Sequence, residues 1–398
     1  MRSVFYGNGI EKRMKMIYIE NTCTDPAYNL AFEEYVFTQM RFDEPVLLLW
    51  RNAPAVIVGR YQNTLEEIDE QYVKEHGIRV VRRDTGGGAV YHDLGNLNYS
   101  FIIPEVDRMK VDFRTFTAPV VKALQVAGIH AEQSGRNDIL ADGKKFSGNA
   151  QHFSRGRLLH HGTLMFDVDM ETVAAALRVK PGKFRSKATK SVRSRVTNLK
   201  PLLETAVSME GAAVGQAAVE CTEAVGQAAV ECTAPVGQAP VERTAAVGQA
   251  PVECTAPVGQ APVDTLGFKQ LLLDWFRREY DLREERLSPA QMEQVRDLQK
   301  RKYESASWNF GRSPASEITR GDFFRCGQVV FHFSIREHRV HRLQITGDFF
   351  SSRDIAELEQ MLEGVQYERE ALLQVLSEAD LPSYLGDVTA EELVDVIV

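Results

Sequence analysis

The stretch RRDTGGGAVYHD, residues 82–93, is the most informative part of this sequence. Three consecutive glycines follow a predicted strand, where they allow the backbone to approach a ligand closely and to direct successive N–H groups at an anion. Arg82 and Arg83 add positive charge directly before them. A hairpin turn is the alternative, but a hairpin needs one or two glycines rather than three beside two arginines. Since no GxxxxGKS or GxxxxGKT pattern occurs, we predict an anion-binding loop that is not a P-loop.

Strands are predicted on both sides of this glycine-rich loop. IRVVRR (78–83) leads into it and LNYSFII (97–103) follows it. Upstream, VLLLW (46–50) and AVIVG (55–59) are two further β-rich runs, which a proline-containing turn separates. Another strand is predicted over residues 157–169.

Helices alternate with these strands. Asp25 and Pro26 begin a predicted helix, because Asp is a good N-cap and Pro suits the first helical position. Residues 118–128 are predicted as a helix with Pro near its start and Gly at its end. Further helices are expected at METVAAALRV and at the amphipathic GFKQLLLDWFRREYD. A new alternation of at least two strands with helices begins near Trp308, which predicts a domain boundary near residues 300–307.

Composition excludes several classes of protein. The chain has 398 residues, of which 44% are hydrophobic and 26% charged, as in a globular protein of two or three domains. No run approaches 18 apolar residues, and the first 16 residues lack the apolar region of a signal peptide, so we expect a cytoplasmic protein without a membrane span. Met14 or Met16 is an alternative start. The net charge of -8 argues against a nucleic-acid binder.

The five cysteines form no CxxC pair, and no HExxH pattern occurs, so neither a metal site nor a disulfide framework is predicted. Residues 212–265 repeat a unit of 11 residues, such as AAVGQAAVECT, with Gly and often Pro in each unit. Gly and Pro oppose a regular helix, and the small side chains cannot bury enough surface to offset the ordering entropy. We therefore predict a disordered insertion, with a solenoid as the alternative.

Three further segments carry candidate functional residues. GKKFSGNA (143–150) presents a lysine pair before small residues, which is either a solvated turn or a charge that reaches into a pocket. HHGT (160–163) contains two histidines that are by default buried and hydrogen-bonded. Residues 180–195 hold seven Lys or Arg without an acid, which favours a solvated loop or a loop that closes over a polyphosphate or an acidic partner.

Several motifs together, in a fixed order, carry a family resemblance. They are DPAYNLAFEEY (25–35), RRDTGGGAVYHDLGNLNYSF (82–101), GRNDI (135–139), KKFSGNAQ (144–151), HHGTLMF (160–166), SVRSRVTNL (191–199), WNFGRSP (308–314) and ITGDFF (345–350). With them the chain resembles lipoate–protein ligases of the single-chain type. The resemblance implies an α+β fold, with a mixed-sheet catalytic domain of the biotin and lipoate ligase kind at residues 16–300 and a small α+β C-terminal accessory domain at residues 306–398. The insertion at 212–265 lies outside it.

The resemblance also implies a reaction and a set of site residues. Lipoate would attack ATP to give lipoyl-AMP, and a lysine of an apo lipoyl domain or of the glycine cleavage H protein would then take the acyl group, with Mg²⁺ accompanying ATP. Lys145 would contact both lipoate and the adenylate phosphate as the catalytic cation. The residues matched to the nucleotide site are Arg83, Thr85, Lys145 and, through their backbone, Gly88, Ala89, Val90 and Tyr91. Those expected to line the acyl pocket are Trp50, Asn137, Asp138, His161 and Thr163.

Three rival functions remain as alternatives. An octanoyltransferase shares the fold but passes the acyl chain through a cysteine thioester without ATP, and Cys23 and Cys326 lie far in sequence from the glycine and lysine motifs. A biotin–protein ligase would need its own glycine-rich loop, which is not found. A non-catalytic acyl-binding or scaffold protein would have no use for Arg83, the glycines and Lys145 together. Octanoate in place of lipoate, as the acyl substrate of a ligase, is left open.

Overall fold

The computed structural model describes residues 13–106, 112–135, 137–178, 195–206, 264–311 and 316–398. The basic stretch 180–195, except for Arg195, and nearly all of the predicted insertion lie outside these ranges. The strands are β1 (Lys15–Ile19), β2 (Val46–Trp50), β3 (Ala55–Val58), β4 (Arg79–Arg82), β5 (Val90–His92), β6 (Asn96–Ile103), β7 (Ala131–Ser134), β8 (Asp138–Ala141), β9 (Lys144–Ser154), β10 (Arg157–Met165), β11 (Asp281–Glu285), β12 (Ile318–Phe324), β13 (Gly327–Arg336) and β14 (Arg339–Gly347).

The helices alternate with these strands, and the α+β prediction is confirmed. They are α1 (Pro26–Thr38), α2 (Thr64–Glu67), α3 (Glu70–Glu75), α4 (Phe113–Val126), α5 (Met170–Ala176), α6 (Thr265–Glu279), α7 (Pro289–Leu298), α8 (Ala306–Phe310), α9 (Ile355–Leu362), α10 (Arg369–Glu378), α11 (Leu381–Tyr384) and α12 (Ala390–Ile397). A π-helical segment, Gln299–Tyr303, continues from α7. Within the described ranges, no helix has the length and apolarity that crossing a membrane requires.

An eight-stranded mixed sheet forms the centre of the molecule, in the order β11-β1-β2-β6-β10-β9-β8-β7. β1 is parallel to β11 and to β2, and the other neighbours are antiparallel. Strands β2 and β6 are buried along their whole length, so β6 also buries Asn96, Asn98 and Ser100 among its apolar and aromatic residues. The register sets His161 opposite Ser100 on one side and Ala150 on the other. The sheet thereby aligns residues from three separate motifs.

Helix α1 packs across this sheet and begins as its sequence predicts. The Asp25 side chain accepts hydrogen bonds from the backbone N–H groups of Ala27 and Tyr28, and Pro26 occupies the first helical position. Most of the helix is buried, including Glu33. It therefore brings a carboxylate into the interior beside the sheet.

Two predicted boundaries are wrong. Helix α4 begins at Phe113 rather than near residue 118, because Asp112 caps it through the N–H of Arg114, and Pro119 lies inside the helix. The predicted insertion extends too far at its end. Asp264 caps α6 by accepting from the N–H of Gly267, and Thr265 is the first residue of that helix.

Strand β11 was not predicted, because its sequence DLREE carries mostly charged side chains. It lies at the edge of the sheet, where its residues are exposed or half-buried. An edge strand needs few apolar residues, and charges there oppose pairing with another chain. Only its pairing with β1 reveals it.

The glycine-rich loop connects two strands of a small second sheet, in the order β4-β3-β5. β3 runs parallel to β4 and antiparallel to β5. Gly87 has a φ of +87°, which only glycine adopts readily. A Cβ on Gly86 would lie 2.4 Å from the carbonyl oxygen of Phe349, so the close approach of residues 347–350 also requires glycine.

The C-terminal part forms a three-stranded sheet, β12-β13-β14, covered by α9 to α12. At least two strands were predicted here, and three are present. Its core is built from aliphatic and aromatic side chains such as Phe331, Ile345, Leu358, Leu376 and Leu393. Apart from Tyr61, the buried residues of this core all come from residues 326–397.

This C-terminal part packs directly on the loops of the N-terminal part. The N–H of Gly347 donates to the carbonyl oxygen of Tyr61 at 2.9 Å, and the ring of Tyr61 stacks on Phe349 with centroids 5.0 Å apart. Phe350 contacts Phe113 edge to face at 5.9 Å. The glycine-rich loop therefore lies between the two parts of the chain.

Candidate active site

A cavity of about 450 Å³ opens between the glycine-rich loop, the central sheet and the C-terminal part. Its walls combine apolar side chains, backbone and a few charged groups, the usual composition of a small-molecule site. The lining residues are Leu30, Trp50, Ile57, Arg83, Gly87, Gly88, Ala89, Val90, His92, Asn98, Asn137, Asp138, Lys145, Gly148, Asn149, Ala150, His161, Gly162, Thr163, Arg325, Cys326, Gly327, Asp348 and Phe350.

Lys145 lies near the start of β9, and its ammonium pairs with the carboxylate of Asp138 on β8 at 2.7 Å. Both side chains are more than a third exposed, 39% and 36%, so the pair is open to an incoming ligand. Backbone hydrogen bonds join Lys145 to residues 195–197. The N–H of Lys145 donates to the carbonyl oxygen of Arg195, and the N–H of Thr197 donates to that of Lys145. These two bonds fix the backbone from which the lysine extends.

Arg83 is buried against the glycine-rich loop. Its guanidinium donates from Nη2 to the carbonyl oxygens of Gly86 at 2.7 Å and Gly88 at 2.8 Å, and from Nη1 to that of Ile57 at 3.0 Å. Its Nε donates to the hydroxyl of Thr85 at 2.9 Å. Burial lowers the pKa of Arg83 to about 10, so the guanidinium stays charged at neutral pH. Arg83 therefore shapes the loop and brings positive charge to the cavity wall.

Trp50, Leu30, Ile57 and Val90 give the cavity an apolar wall. Trp50 is 4% exposed, and its indole N–H donates to the hydroxyl of Ser100 at 2.9 Å. Because the polar edge of the indole is satisfied inside the protein, the rest of the ring is available for apolar contact.

His92 lies in the same wall as a neutral histidine. Its Nδ1 accepts a hydrogen bond from the side-chain amide of Asn52 at 3.0 Å. Burial, and after it the positive charge of Arg83, lowers the pKa of His92 to about 3. His92 thus adds no charge to the cavity at neutral pH.

The amide side chains hold the turn before β8 in place. Asn137 donates to the carbonyl oxygen of Asn149 at 3.0 Å, and Asn149 donates back to that of Asn137 at 2.9 Å. The N–H of Gly148 donates to the hydroxyl of Thr163 at 3.2 Å. Asn137, Asn149 and Thr163 therefore join β8, β9 and β10 at the point where Lys145 and Asp138 lie.

Most residues singled out in the sequence meet in this cavity. Those that line it are Trp50, Arg83, Gly88, Ala89, Val90, Asn137, Asp138, Lys145, His161 and Thr163. Two are not in its wall. Thr85 is 1% exposed and bonds to Arg83 and His161 behind the surface, while the side chain of Tyr91 packs with Val56 and Val58 in a separate apolar cluster. Only the backbone of Tyr91 was assigned to ligand binding, so its side chain bears no part of that expectation.

Sequence reasoning did not find the contribution of the C-terminal part. Arg325, Cys326 and Gly327, in the turn between β12 and β13, line the cavity together with Asp348 and Phe350. The segment ITGDFF was noted in the sequence, but nothing in it indicates contact with a loop more than 250 residues earlier. Cys326 is 4% exposed, and its distance in sequence from the glycine motif conceals its closeness in space.

Comparison with known proteins agrees with this geometry. A family model described as lipoyl protein ligase A/B catalytic domain matches residues 25–219, and one described as bacterial lipoate protein ligase C-terminus matches residues 313–397. The chain is 37% identical to lipoate-protein ligase LplJ of Bacillus subtilis over 96% of this chain and 100% of that protein. It is 35% identical to lipoate–protein ligase 1 of Staphylococcus aureus, over 94% and 97% of the two chains.

The chain belongs to the lipoate–protein ligase family. As a lipoate–protein ligase it is an enzyme, and the recognition made from its motifs is confirmed. The octanoyltransferase alternative is not favoured.

Solved structures give the same fold. A Plasmodium falciparum LipL1 structure in complex with lipoate superimposes with a TM-score of 0.63 at 19% identity, over 92% of this chain and 94% of that one. A bipartite lipoate protein ligase of Thermoplasma acidophilum, described with its E2 lipoyl domain, superimposes with a TM-score of 0.54 at 25% identity, over 77% of this chain and all of that one. A lipoate-protein ligase A structure bound with ATP has a TM-score of 0.52 at 24% identity.

Proposed function

We propose that this lipoate–protein ligase joins lipoate to a protein lysine in two steps within the cavity. In the first, a carboxylate oxygen of lipoate attacks the α-phosphorus of ATP. The new P–O bond forms as the bond to the β-phosphate breaks, and pyrophosphate leaves. In the second, the neutral amine of an acceptor lysine attacks the acyl carbon of lipoyl-AMP. An amide forms, the C–O bond to AMP breaks, and the amine loses a proton.

One observation carries this proposal: the Lys145–Asp138 pair, the Arg83-supported glycine loop and the Trp50 wall share one cavity. An apolar chain with a carboxylate at its end fits a site that is apolar on one side and cationic on the other. Lys145 is free to reach a ligand, because its pairing with Asp138 is half-exposed and weakly held. Its ammonium would offset the negative charge that develops where carboxylate and phosphate meet.

The remaining residues have supporting roles in this proposal. The backbone of Gly88 to Tyr91, with Arg83, would hold the nucleotide, and Thr85 would support Arg83 from behind. Asn137, His161 and Thr163 would line the acyl pocket beside Trp50 and Asp138.

A magnesium ion that accompanies ATP fits the oxygen groups of this wall. Mg²⁺ usually binds one or two carboxylates together with phosphate oxygens and water. Asp138 offers a half-exposed carboxylate, whereas the backbone carbonyl oxygen of Asn137 already accepts hydrogen bonds from Asn149. In the described residues no group of three or more His, Cys, Asp or Glu side chains is placed to hold a metal. The phosphate oxygens of ATP and water would therefore be the main ligands of the ion, with Asp138 as a protein carboxylate beside them. The ion would neutralise part of the phosphate charge.

The acceptors in this proposal are apo lipoyl domains of 2-oxoacid dehydrogenases or the glycine cleavage H protein, and the acyl substrate is lipoate or octanoate. We propose a cytoplasmic site of action, with residues 16–300 as the catalytic domain and 306–398 as the accessory domain. The lipoyl domain described with the Thermoplasma acidophilum enzyme supports this class of acceptor.

The test measures acyl-AMP formation from lipoate and ATP labelled at the α-phosphate, followed by transfer to a panel of apo acceptor domains. We expect labelled lipoyl-AMP, and transfer only when ATP is present. Because Cys326 lines the cavity, the Cys326→Ser variant is measured beside the wild type. An active serine variant is expected. An inactive but folded one, or acyl transfer from a carrier thioester without ATP, would replace the ligase reaction by thioester chemistry.

A further inference from the structure

Glu33 is a buried carboxylate with no part in the reaction described above. It lies in the middle of α1 and is 4% exposed. A buried carboxylate is costly unless hydrogen bonds and an opposite charge compensate it. Burial lowers the pKa of Arg83, and the negative charge of Glu33 offsets part of that lowering. Glu33 is therefore a counter-charge for the buried arginine of the glycine-rich loop.

One chain of hydrogen bonds connects Glu33 with Arg83. Nδ1 of His161 lies 3.0 Å from both carboxylate oxygens of Glu33, and its Nε2 lies 2.8 Å from the hydroxyl of Thr85. Because an ionised carboxylate only accepts hydrogen bonds, Nδ1 of His161 carries the proton that it donates to Glu33. In this neutral tautomer Nε2 accepts from the hydroxyl of Thr85, which itself accepts from Nε of Arg83. The chain ends at the guanidinium that holds the carbonyl oxygens of the loop.

A second chain connects the same carboxylate with the apolar wall. The hydroxyl of Ser100 donates to Oε1 of Glu33 at 2.5 Å and accepts from the indole N–H of Trp50 at 2.9 Å. Since Ser100 has a single hydrogen to donate, both bonds have a fixed direction. Glu33 is thus connected by hydrogen bonds to both walls of the cavity, although it does not line the cavity itself.

We propose that Glu33 is a positioning residue that orients both walls of the site at once. Through His161 and Thr85 it orients Arg83 and the glycine-rich loop, and through Ser100 it orients Trp50. The assignment of the two walls to ATP and to lipoate rests on the proposed function.

The test uses four substitutions, at three residues, and two separate ligands. Dissociation constants for ATP and for lipoate are measured by calorimetry, which needs no turnover. Thr85→Val should weaken ATP binding by roughly tenfold to a hundredfold, the range for a lost hydrogen bond to a charged group. It should change lipoate binding far less, because His161 keeps its contacts with Glu33. Thr85→Ser should recover most of that loss, because it keeps the hydroxyl. Ser100→Ala should weaken lipoate binding only, and Glu33→Gln should weaken both.

A double variant tests whether Glu33 acts through Thr85. If they share one chain, Glu33→Gln with Thr85→Val should weaken ATP binding no more than the stronger single variant does. Losses that multiply in the double variant, or a folded Glu33→Gln variant that binds both ligands normally, would overturn the proposal.

Two controls separate this role from stability and from the reaction. Thr117→Val removes a buried hydroxyl that bonds to Gln133 on the far side of the sheet, so it should lower the melting temperature and change neither affinity. A change in either affinity would show that binding follows stability, against the proposal. A wild type that binds both ligands but forms no lipoyl-AMP would contradict the proposed reaction and leave the role of Glu33 standing. A wild type that binds neither would overturn both.

Discussion

Single residues set the charge of the cavity, whose wall contains the buried Arg83, the partly exposed Lys145 and the exposed Arg325. Arg83 is enclosed by carbonyl oxygens, whereas Lys145 has one carboxylate partner and open space. A cation that does no structural work can be removed at little cost to folding. Its removal therefore isolates its effect on the chemistry.

We expect Lys145→Ala to lower the rate of lipoyl-AMP formation by about a hundredfold or more, as for the loss of one strong electrostatic stabiliser. The free energy of unfolding should change by about 1 kcal/mol or less, since the pair with Asp138 is partly exposed. Pyrophosphate release measures the rate, and chemical denaturation measures the stability.

Lys144→Ala is the matched control, because Lys144 is the exposed neighbour on the same strand. It should leave pyrophosphate release nearly unchanged. Equal rates in the Lys145→Ala variant and the wild type would show that the cavity wall near β9 is not where adenylation occurs.

At the scale of elements, the π-helical segment and α8 fasten the connection between the two parts of the chain to β4. The guanidinium of Arg82 donates to carbonyl oxygens of Gly59, Gln62, Trp308 and Asn309. The backbone of Arg82 takes part as well. The indole N–H of Trp308 donates to the carbonyl oxygen of Arg82, and the backbone N–H of Arg82 donates to the side-chain oxygen of Asn309. Arg82 is therefore a structural residue, although its neighbour Arg83 lines the cavity.

Lys302, in the π-helical segment, adds an ionic contact at the same place. Its ammonium lies 2.6 Å from Asp84 and 2.7 Å from Glu34, over the ring of Trp308. Burial raises the pKa of Asp84, but the charges of Lys302 and Arg60 outweigh it and the net pKa is lowered. For Glu34 burial and the charge of Asp84 prevail, and its pKa is raised. Without Lys302 the two carboxylates would face each other with less compensation.

We expect Lys302→Met to lower the free energy of unfolding by about 3 kcal/mol at pH 7, the usual cost of leaving a buried charge unpaired. The loss should shrink as the pH falls, because in the folded variant the pKa of Glu34 is raised and the pKa of Asp84 no longer has Lys302 to lower it, so both carboxylates can take up protons. Denaturation at pH 7 and pH 5 measures both effects. Lys300→Met, an exposed lysine of the same segment, is the control and should change stability little at either pH. A loss independent of pH would contradict this account.

At the scale of the whole molecule, the C-terminal part completes the cavity. Phe350 and Asp348 line it, and Gly86 lies against the backbone of Phe349. The repeats, by contrast, enter between Ala206 and α6, far in sequence from these contacts. The first described residue after them, Asp264, caps α6, so the helix has its own start.

We expect deletion of residues 212–261 to leave lipoyl-AMP formation and the melting temperature nearly unchanged. The deleted segment has no aromatic residue, no Leu and no Ile, and the entropy of closing a loop grows only slowly with its length. Asp264 and Thr265 must stay, because they begin α6. A control deletion that also removes Asp264 should lower the melting temperature. A drop of many degrees after the shorter deletion would mean that the repeats pack on the rest of the chain.

The sequence by itself determined the local structure and the family. The cap at Asp25, the apolar run of β2 and the triple glycine act over a few residues, so their signals are readable in order along the chain. For Lys145 the local pattern left a solvated turn and a pocket lysine both open, and the family resemblance gave its role. Strand β11 was missed because an edge strand carries no apolar pattern.

Only the tertiary structure decided which of these residues meet. The register of β6, β9 and β10 brings Ser100 and His161 together under α1, and this makes Glu33 the centre of two hydrogen-bond chains. Packing of the C-terminal part brings Cys326 and Asp348 into the wall of a cavity that Leu30, near the start of the chain, also lines. Thr85 turns inward, because its hydroxyl bonds to Arg83 and His161. Hydrogen bonds between distant strands depend on how the chain packs in space, and no local pattern of residues encodes that.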